Sequence, residues 1–299
     1  MTGIHFLLTY RCTFECDHCF LYCGPRSSGT FTVEQIRRVL SEAEKIGTID
    51  NVYFEGGEPF LYYPLMVEGV RLAREAGMKT GLVTNAYWAT AREDADLWLG
   101  PLCPHELYDL SLSDDAFHSG DEEESAAKRA RESAERLGIP VRTICIEEPK
   151  VERGEESQGK GEPVVGGDVA FRGRAVDKLT GGLPRKPWAS FDECKREELE
   201  KPGRVHVDSF GNVQICQGLS MGNMWKRPLS EIVTGYDAKS HPICGPLLEG
   251  GPAELARTHG VEVEEGYVDE CHLCYSVRVA LLEKFPEYLG PKQVYGIEE

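Results

Sequence analysis

Arg11-Cys12-Thr13-Phe14-Glu15-Cys16-Asp17-His18-Cys19 follows the apolar run Ile4-His5-Phe6-Leu7-Leu8, which reads as a strand. Its three cysteines therefore occupy the loop leaving that strand. Thiolates at C-x3-C-x2-C spacing can hold three corners of a cubane iron–sulfur cluster. Structural clusters take four cysteines, so a set of three leaves one iron open to another ligand. Spacing alone also allows Cys16-x2-Cys19 as half of a zinc site, or three buried thiols.

A second motif, Gly56-Gly57-Glu58-Pro59, closes the apolar segment Val52-Tyr53-Phe54. Two glycines at a strand end let backbone come close to a ligand. The amides, the carbonyls and Glu58 then offer hydrogen bonds to a zwitterionic amino acid. Alone, these four residues read as a turn. One strand after a cysteine triplet, they point to a shared site.

In this order the two motifs resemble the radical S-adenosylmethionine (SAM) superfamily. The resemblance assigns Cys12, Cys16 and Cys19 to a [4Fe–4S] cluster whose open iron is chelated by the methionyl amine and carboxylate. It assigns Gly56, Gly57, Glu58 and Pro59 to the turn that binds the amine. His18 stands where the family usually has an aromatic residue before the third cysteine. The resemblance further implies reductive cleavage of SAM to methionine and a 5′-deoxyadenosyl radical, which abstracts hydrogen from a substrate. An external one-electron reductant such as flavodoxin or ferredoxin is then needed.

Composition bounds the remaining choices. At 299 residues the chain has room for one α/β domain and a smaller second one. Its formal net charge of −17 argues against a nucleic-acid surface. No apolar run approaches the ~20 residues of a membrane span, and the start lacks the basic region of a signal peptide. Eleven cysteines in such a chain point to metal binding in a reducing cytoplasm.

The first half alternates strand and helix signals. Thr32-x-x-Gln35 is a capping box for a helix with Val33, Ile36, Val39, Leu40 and Ala43 on one stripe, closed by Gly47. Further strands are expected up to Phe54 and over 78–83, 107–112 and 141–146. Helices are expected over 64–76, 92–99 and about 121–137. A βα series predicts a parallel sheet. The resemblance implies a partial, six-stranded (β/α) TIM-like barrel, with Val169-Ala170-Phe171 as the sixth strand.

Such barrels gather functional groups at the C-terminal ends of their strands. Thr84-Asn85-Ala86 stands where the family often has Thr-Asn-Gly, and Ser113 where it commonly holds the SAM ribose. Asn85 is a second polar contact and His118 a candidate active-site histidine; a solvated strand end is the alternative for each. Residues 149–168 hold little that could form a core and read as a mobile loop, either a lid or a plain insertion. Gly173-Arg174-Ala175 opens a helix, with Arg174 a candidate partner for a carboxylate or a solvent-facing side chain.

A second cysteine group follows. Cys194 stands alone, Cys216 ends a hairpin turning at Gly211-Asn212, and Cys271-x2-Cys274 precedes a helix over 276–285. Zinc or a cubane cluster suits these four. Their layout is similar to the twitch domain, the shortened SPASM-like auxiliary domain of some radical SAM enzymes. That similarity implies a barrel over 1–183 and a cysteine-rich α+β domain over 184–299. Cys194, Cys216, Cys271 and Cys274 would then hold an auxiliary [4Fe–4S] cluster. Fully ligated, it would accept an electron, making the reaction a dehydrogenation or oxidative cyclisation of a small molecule. Glu147, Glu148 and His118 are candidate bases, and Cys145 could face the substrate. Cys23, Cys103 and Cys244 read as small buried side chains, although Cys244 could replace one of the four ligands. The alternatives are a peptide substrate and a non-catalytic zinc or iron–sulfur protein. With the triplet beginning at residue 12, no leader-binding domain is expected before the barrel.

Overall fold

Ile4, Phe6 and Leu8 are fully buried, while His5 between them keeps some exposure. Leu7 and Thr9, on the His5 face, are fully buried too, so this strand is covered on both faces, as strands of parallel sheets are. The computed structural model describes residues 1–118, 124–153 and 163–297. The chain divides into two units: residues 1–15, 23–145 and 202–236, and residues 16–22, 146–201 and 237–299.

The first unit runs β1 (Gly3–Thr9), α1 (Val33–Ile46), β2 (Asn51–Gly56), α2 (Tyr63–Glu75), β3 (Lys79–Thr84), α3 (Arg92–Leu99), β4 (Asp109–Ser113), α4 (Ala126–Arg136) and β5 (Val141–Ile144). The capping box forms at Thr32 and Gln35, and Gly47 closes α1 in the left-handed conformation. The N-terminal part of the charged helix expected from residue 121 lies outside the described residues; α4 itself starts behind the Ser125 cap.

β1 to β5 pair in parallel, β1 against β2, β2 against β3, β3 against β4 and β4 against β5. Phe6 stacks on Phe54 of β2 with ring centroids 4.8 Å apart and meets Phe31 edge-on. Burying each such ring contributes about 2 kcal/mol. Gly69 of α2 lies against Phe54: a Cβ there would stand 2.7 Å from its ring. That glycine lets the helix approach the sheet.

The sixth parallel strand is not the expected one. Val169-Ala170-Phe171 forms no strand, because the Arg172 amide turns back to the Ala170 carbonyl at 2.7 Å and Asp168 has a φ of 57°. Backbone bonded within so tight a turn cannot join a ladder. The sixth parallel strand comes from the expected hairpin, β9 (Arg204–Asp208), β10 (Asn212–Cys216) and β11 (Leu219–Asn223). β9 pairs in parallel with the free edge of β1, and β10 and β11 continue antiparallel. The sheet order is β11-β10-β9-β1-β2-β3-β4-β5, and α6 (Leu229–Thr234) follows in the chain. The fold is α/β with a mostly parallel sheet.

The second unit contains a hairpin of β6 (Lys150–Arg153) and β7 (Pro163–Gly166), α5 (Arg174–Leu179), and β8 (Lys186–Pro187) paired with β12 (Gly266–Tyr267). It also contains α7 (Cys244–His259) and α8 (Glu270–Leu281). The expected loop at 149–168 is thus in part a hairpin, since Lys150 to Arg153 pair with Gly166 to Pro163; residues 154–162 lie outside the described residues. α8 starts six residues earlier than expected, because Asp269 caps it by accepting the His272 amide at 2.7 Å.

Candidate active site

The ends of β1, β2 and β3 meet at the glycine motif. Gly57 donates its amide to the Thr9 carbonyl (2.7 Å), and Glu58 donates its own to Arg11 (2.9 Å). A Cβ on Gly56 would overlap the Thr9 carbonyl, and one on Gly57 the Arg11 carbonyl. Gly56 also has a φ of 126°, a conformation side chains avoid. Both glycines are therefore needed to bring this turn against the backbone just before Cys12.

Glu58 is fully buried and turns inward. One oxygen accepts the Phe60 amide (3.0 Å) and the Thr84 hydroxyl (2.9 Å); the other accepts the Asn85 amide (2.8 Å). Burial pushes its carboxyl up to about 7 against these hydrogen bonds. The side chain thus fixes the turn at the end of β3. Ala86, where the resemblance led one to look for glycine, has a φ of 58°.

Asn85 is aimed by that turn. Its side-chain amide donates to Cys12 Sγ (3.6 Å) and Thr13 Oγ1 (3.0 Å). The Phe14 amide also donates to Cys12 Sγ, at 3.4 Å. Two donors on one sulfur suit a thiolate, and hydrogen bonds of this kind tune cluster ligands. Cys12 itself is buried.

Cys16 and Cys19 lie in the second unit, where the Cys19 amide donates to the Cys16 carbonyl (3.1 Å) around Asp17 and a half-buried His18. Arg174 holds this turn. Its guanidinium donates to the Cys16 carbonyl (2.9 Å) and its amide to the Cys19 carbonyl (3.0 Å), while its head lies over the Tyr22 ring. Gly173 before it would place a Cβ 2.6 Å from the Cys19 carbonyl. Arg174 therefore shapes the cysteine loop.

His118 follows β4 and pairs through Nδ1 with Asp115 Oδ1 at 2.7 Å; its ring meets Phe14 edge-on at 6.0 Å. Asp115, almost fully buried, was not singled out in the sequence. Its only sequence signal is its place beside the Ser113-Asp114 strand end. Ser113 is half-buried at the end of β4. Cys145, Glu147 and Glu148 are exposed, and Lys150 lies 3.4 Å from Glu147.

Of the later cysteines, Cys216 ends β10 in the first unit and is buried. Cys194, Cys271 and Cys274 are half-buried in the second unit. Cys271 and Cys274 sit three apart in the first turns of α8, which puts both thiols on one side of that helix. Cys244 is fully buried at the start of α7, Cys23 is buried and Cys103 half-buried.

Residues 6–101, which include the triplet, the glycine motif and Asn85, match the Radical SAM superfamily. That stretch, about a third of the chain, is similar to a Radical SAM domain, a family that implies SAM and a [4Fe–4S] cluster. The chain is 28% identical over 112 residues to a putative peptide biosynthesis protein, YydG, of Bacillus subtilis, covering 38% of this chain and 35% of that protein. It is 35% identical over 100 residues to a PqqA peptide cyclase of Bradyrhizobium diazoefficiens, covering 32% and 25%. The matches therefore span about a third or less of these relatives' lengths. A crystal structure of BtrN in complex with AdoMet and 2-DOIA superimposes with a TM-score of 0.48 at 15% identity, covering 78% of this chain and 82% of that one.

Proposed function

We propose that this chain is a radical SAM enzyme in which Cys12, Cys16 and Cys19 hold the [4Fe–4S] cluster. When bound, cluster and SAM supply a 5′-deoxyadenosyl radical that takes hydrogen from a substrate. The observation that carries the reading is Cys12 Sγ accepting from both Asn85 and the Phe14 amide. The glycine motif fixes the strand end beside it, Glu58 sets the angle of Asn85, and Arg174 clamps the carbonyls of Cys16 and Cys19. The turn's carbonyls and Ser113 remain the groups for SAM itself. A partial barrel provides the surrounding wall.

Cys194, Cys216, Cys271 and Cys274 are proposed to hold an auxiliary cluster in a twitch-like domain over 184–299, receiving the electron left when the substrate is oxidised. Such an oxidation also releases a proton. Among the base candidates His118 is best supported, because Asp115 fixes its ring. The names of the two curated relatives support a peptide as substrate ahead of the small molecule expected from sequence. The reductant is proposed to be a flavodoxin or ferredoxin, in the cytoplasm. Among the described residues no helix is long and apolar enough to cross a membrane.

Anaerobic reconstitution followed by iron and sulfide counts tests the ligand assignment. Wild type should hold two clusters' worth of both elements, and replacing Cys12, Cys16 and Cys19 together by alanine should remove one cluster's worth. Zinc without sulfide would overturn the reading in favour of a non-catalytic metal protein.

A further inference from the structure

The face of the sheet opposite the Phe6–Phe54 layer carries side chains that the cysteine site does not use. Alternation places them. His5 of β1 stands opposite His206 of β9 on one side and Tyr53 of β2 on the other. Glu55, two residues after Tyr53, leaves the same face. Its Oε2 lies 3.1 Å from His5 Nδ1, and its Oε1 lies 3.2 Å from His206 Nε2. One ligand atom from each of the three side chains lies within 4.8 Å of the others.

Among the described residues, no lysine or arginine forms an ion pair with Glu55; its two oxygens meet only imidazoles. Burial opposes ionisation of the Glu55 carboxyl, but positive charge at His5 and His206 holds it well below the usual carboxylate range, and a metal ion between the three side chains would supply such charge. A carboxylate held away from water is normally matched by a cation or coordinates a metal. The surroundings are also rigid. His5 stacks on Tyr53 at 4.8 Å and meets His206 edge-on at 5.0 Å, while His206 keeps only 4% of its side chain exposed. His5 and Glu55 each keep 17%, which leaves a side for entry.

Two imidazoles and a carboxylate form a donor set for zinc, iron(II) or manganese(II). At metal–ligand distances of about 2.0–2.2 Å, neighbouring ligand atoms stand roughly 3–3.5 Å apart. Each imidazole already has that spacing to one oxygen of Glu55, His5 to Oε2 and His206 to Oε1. We propose that His5, Glu55 and His206 bind one divalent transition-metal ion, separate from the cysteine sites. The inference rests on the register of β1, β2 and β9 and stands or falls independently of the radical SAM reading.

The test is a manganese(II) titration of the full chain with its cysteine sites loaded and oxidised, following the free-ion paramagnetic resonance signal. Oxidised [4Fe–4S] clusters are silent in that measurement, and thiolates compete poorly for manganese. One ion per chain should bind, be displaced by zinc(II), and show imidazole-nitrogen couplings in pulsed spectra. Glu55→Gln and His206→Gln should each weaken uptake by about tenfold or more. Uptake that is unchanged in both variants, or absent in wild type, would overturn the proposal. So would a bound ion without nitrogen coupling, which would mark adsorption to the acidic surface. The couplings are read on wild type, so they decide the matter even if a variant fails to fold.

Discussion

Gly57 has no room for a side chain, because its Cα faces the Arg11 carbonyl at the position where a Cβ would go. Gly57→Ala should therefore destabilise the first unit by about 3 kcal/mol, measured by urea unfolding, since backbone must move to admit it. Its neighbour Glu58 supports a second prediction. Burial raises its carboxyl from 4.5 to about 7, so the folded chain holds the proton more tightly than the unfolded one. That contribution is complete below about pH 4.5 and is lost as pH rises through about 7, amounting to at most about 3 kcal/mol. The urea midpoint of wild type should fall between pH 5 and pH 8 more steeply than that of Glu58→Gln; parallel profiles would contradict this. At this scale the sequence was readable where residue type is constrained by chemistry. Three cysteines at fixed spacing and two adjacent glycines mark a site without any knowledge of the fold. The direction of a side chain is not so marked. Glu58 turns into the protein to hold Thr84 and Asn85, and Arg174 grips two carbonyls; both depend on partners far away in the chain.

Strands and helices with strong local signals matched the sequence reading. α1 carries its capping box and α3 covers 92–99 as expected. Pairing over long separations was not readable. Gly3 lies beside Arg204, and nothing in the apolar alternation of β9 says that it adds to β1 rather than to a separate domain. A buried network secures that junction. Asp208 accepts from Tyr10 (2.9 Å), from the backbone and side chain of Asn212 (2.9 Å each), and from Gln214 (2.9 Å). Asp208→Asn would turn an amide group toward these donors. It should cost about 3 kcal/mol in urea unfolding, whereas a loss under about 0.5 kcal/mol would show that the network does not hold the hairpin. The same pairing puts His206 beside His5 and Glu55, so the candidate metal site was hidden in the sequence for the same reason. His5 and His206 each read there only as a polar residue interrupting an apolar strand.

Across the whole molecule, the seven candidate ligand cysteines divide between the two units: Cys12 and Cys216 in one, Cys16, Cys19, Cys194, Cys271 and Cys274 in the other. The Radical SAM match over 6–101 covers the triplet and leaves the later cysteines to chemical argument. The proposed role of the triplet is reductive cleavage of SAM. Its most direct test is 5′-deoxyadenosine formation by the anaerobically reconstituted chain, reduced with dithionite and supplied with SAM. Wild type should form 5′-deoxyadenosine, and the Cys12→Ala, Cys16→Ala, Cys19→Ala triple variant should form none while keeping the iron of its auxiliary cluster. No 5′-deoxyadenosine from a wild-type chain with its full complement of iron and sulfide would contradict the account.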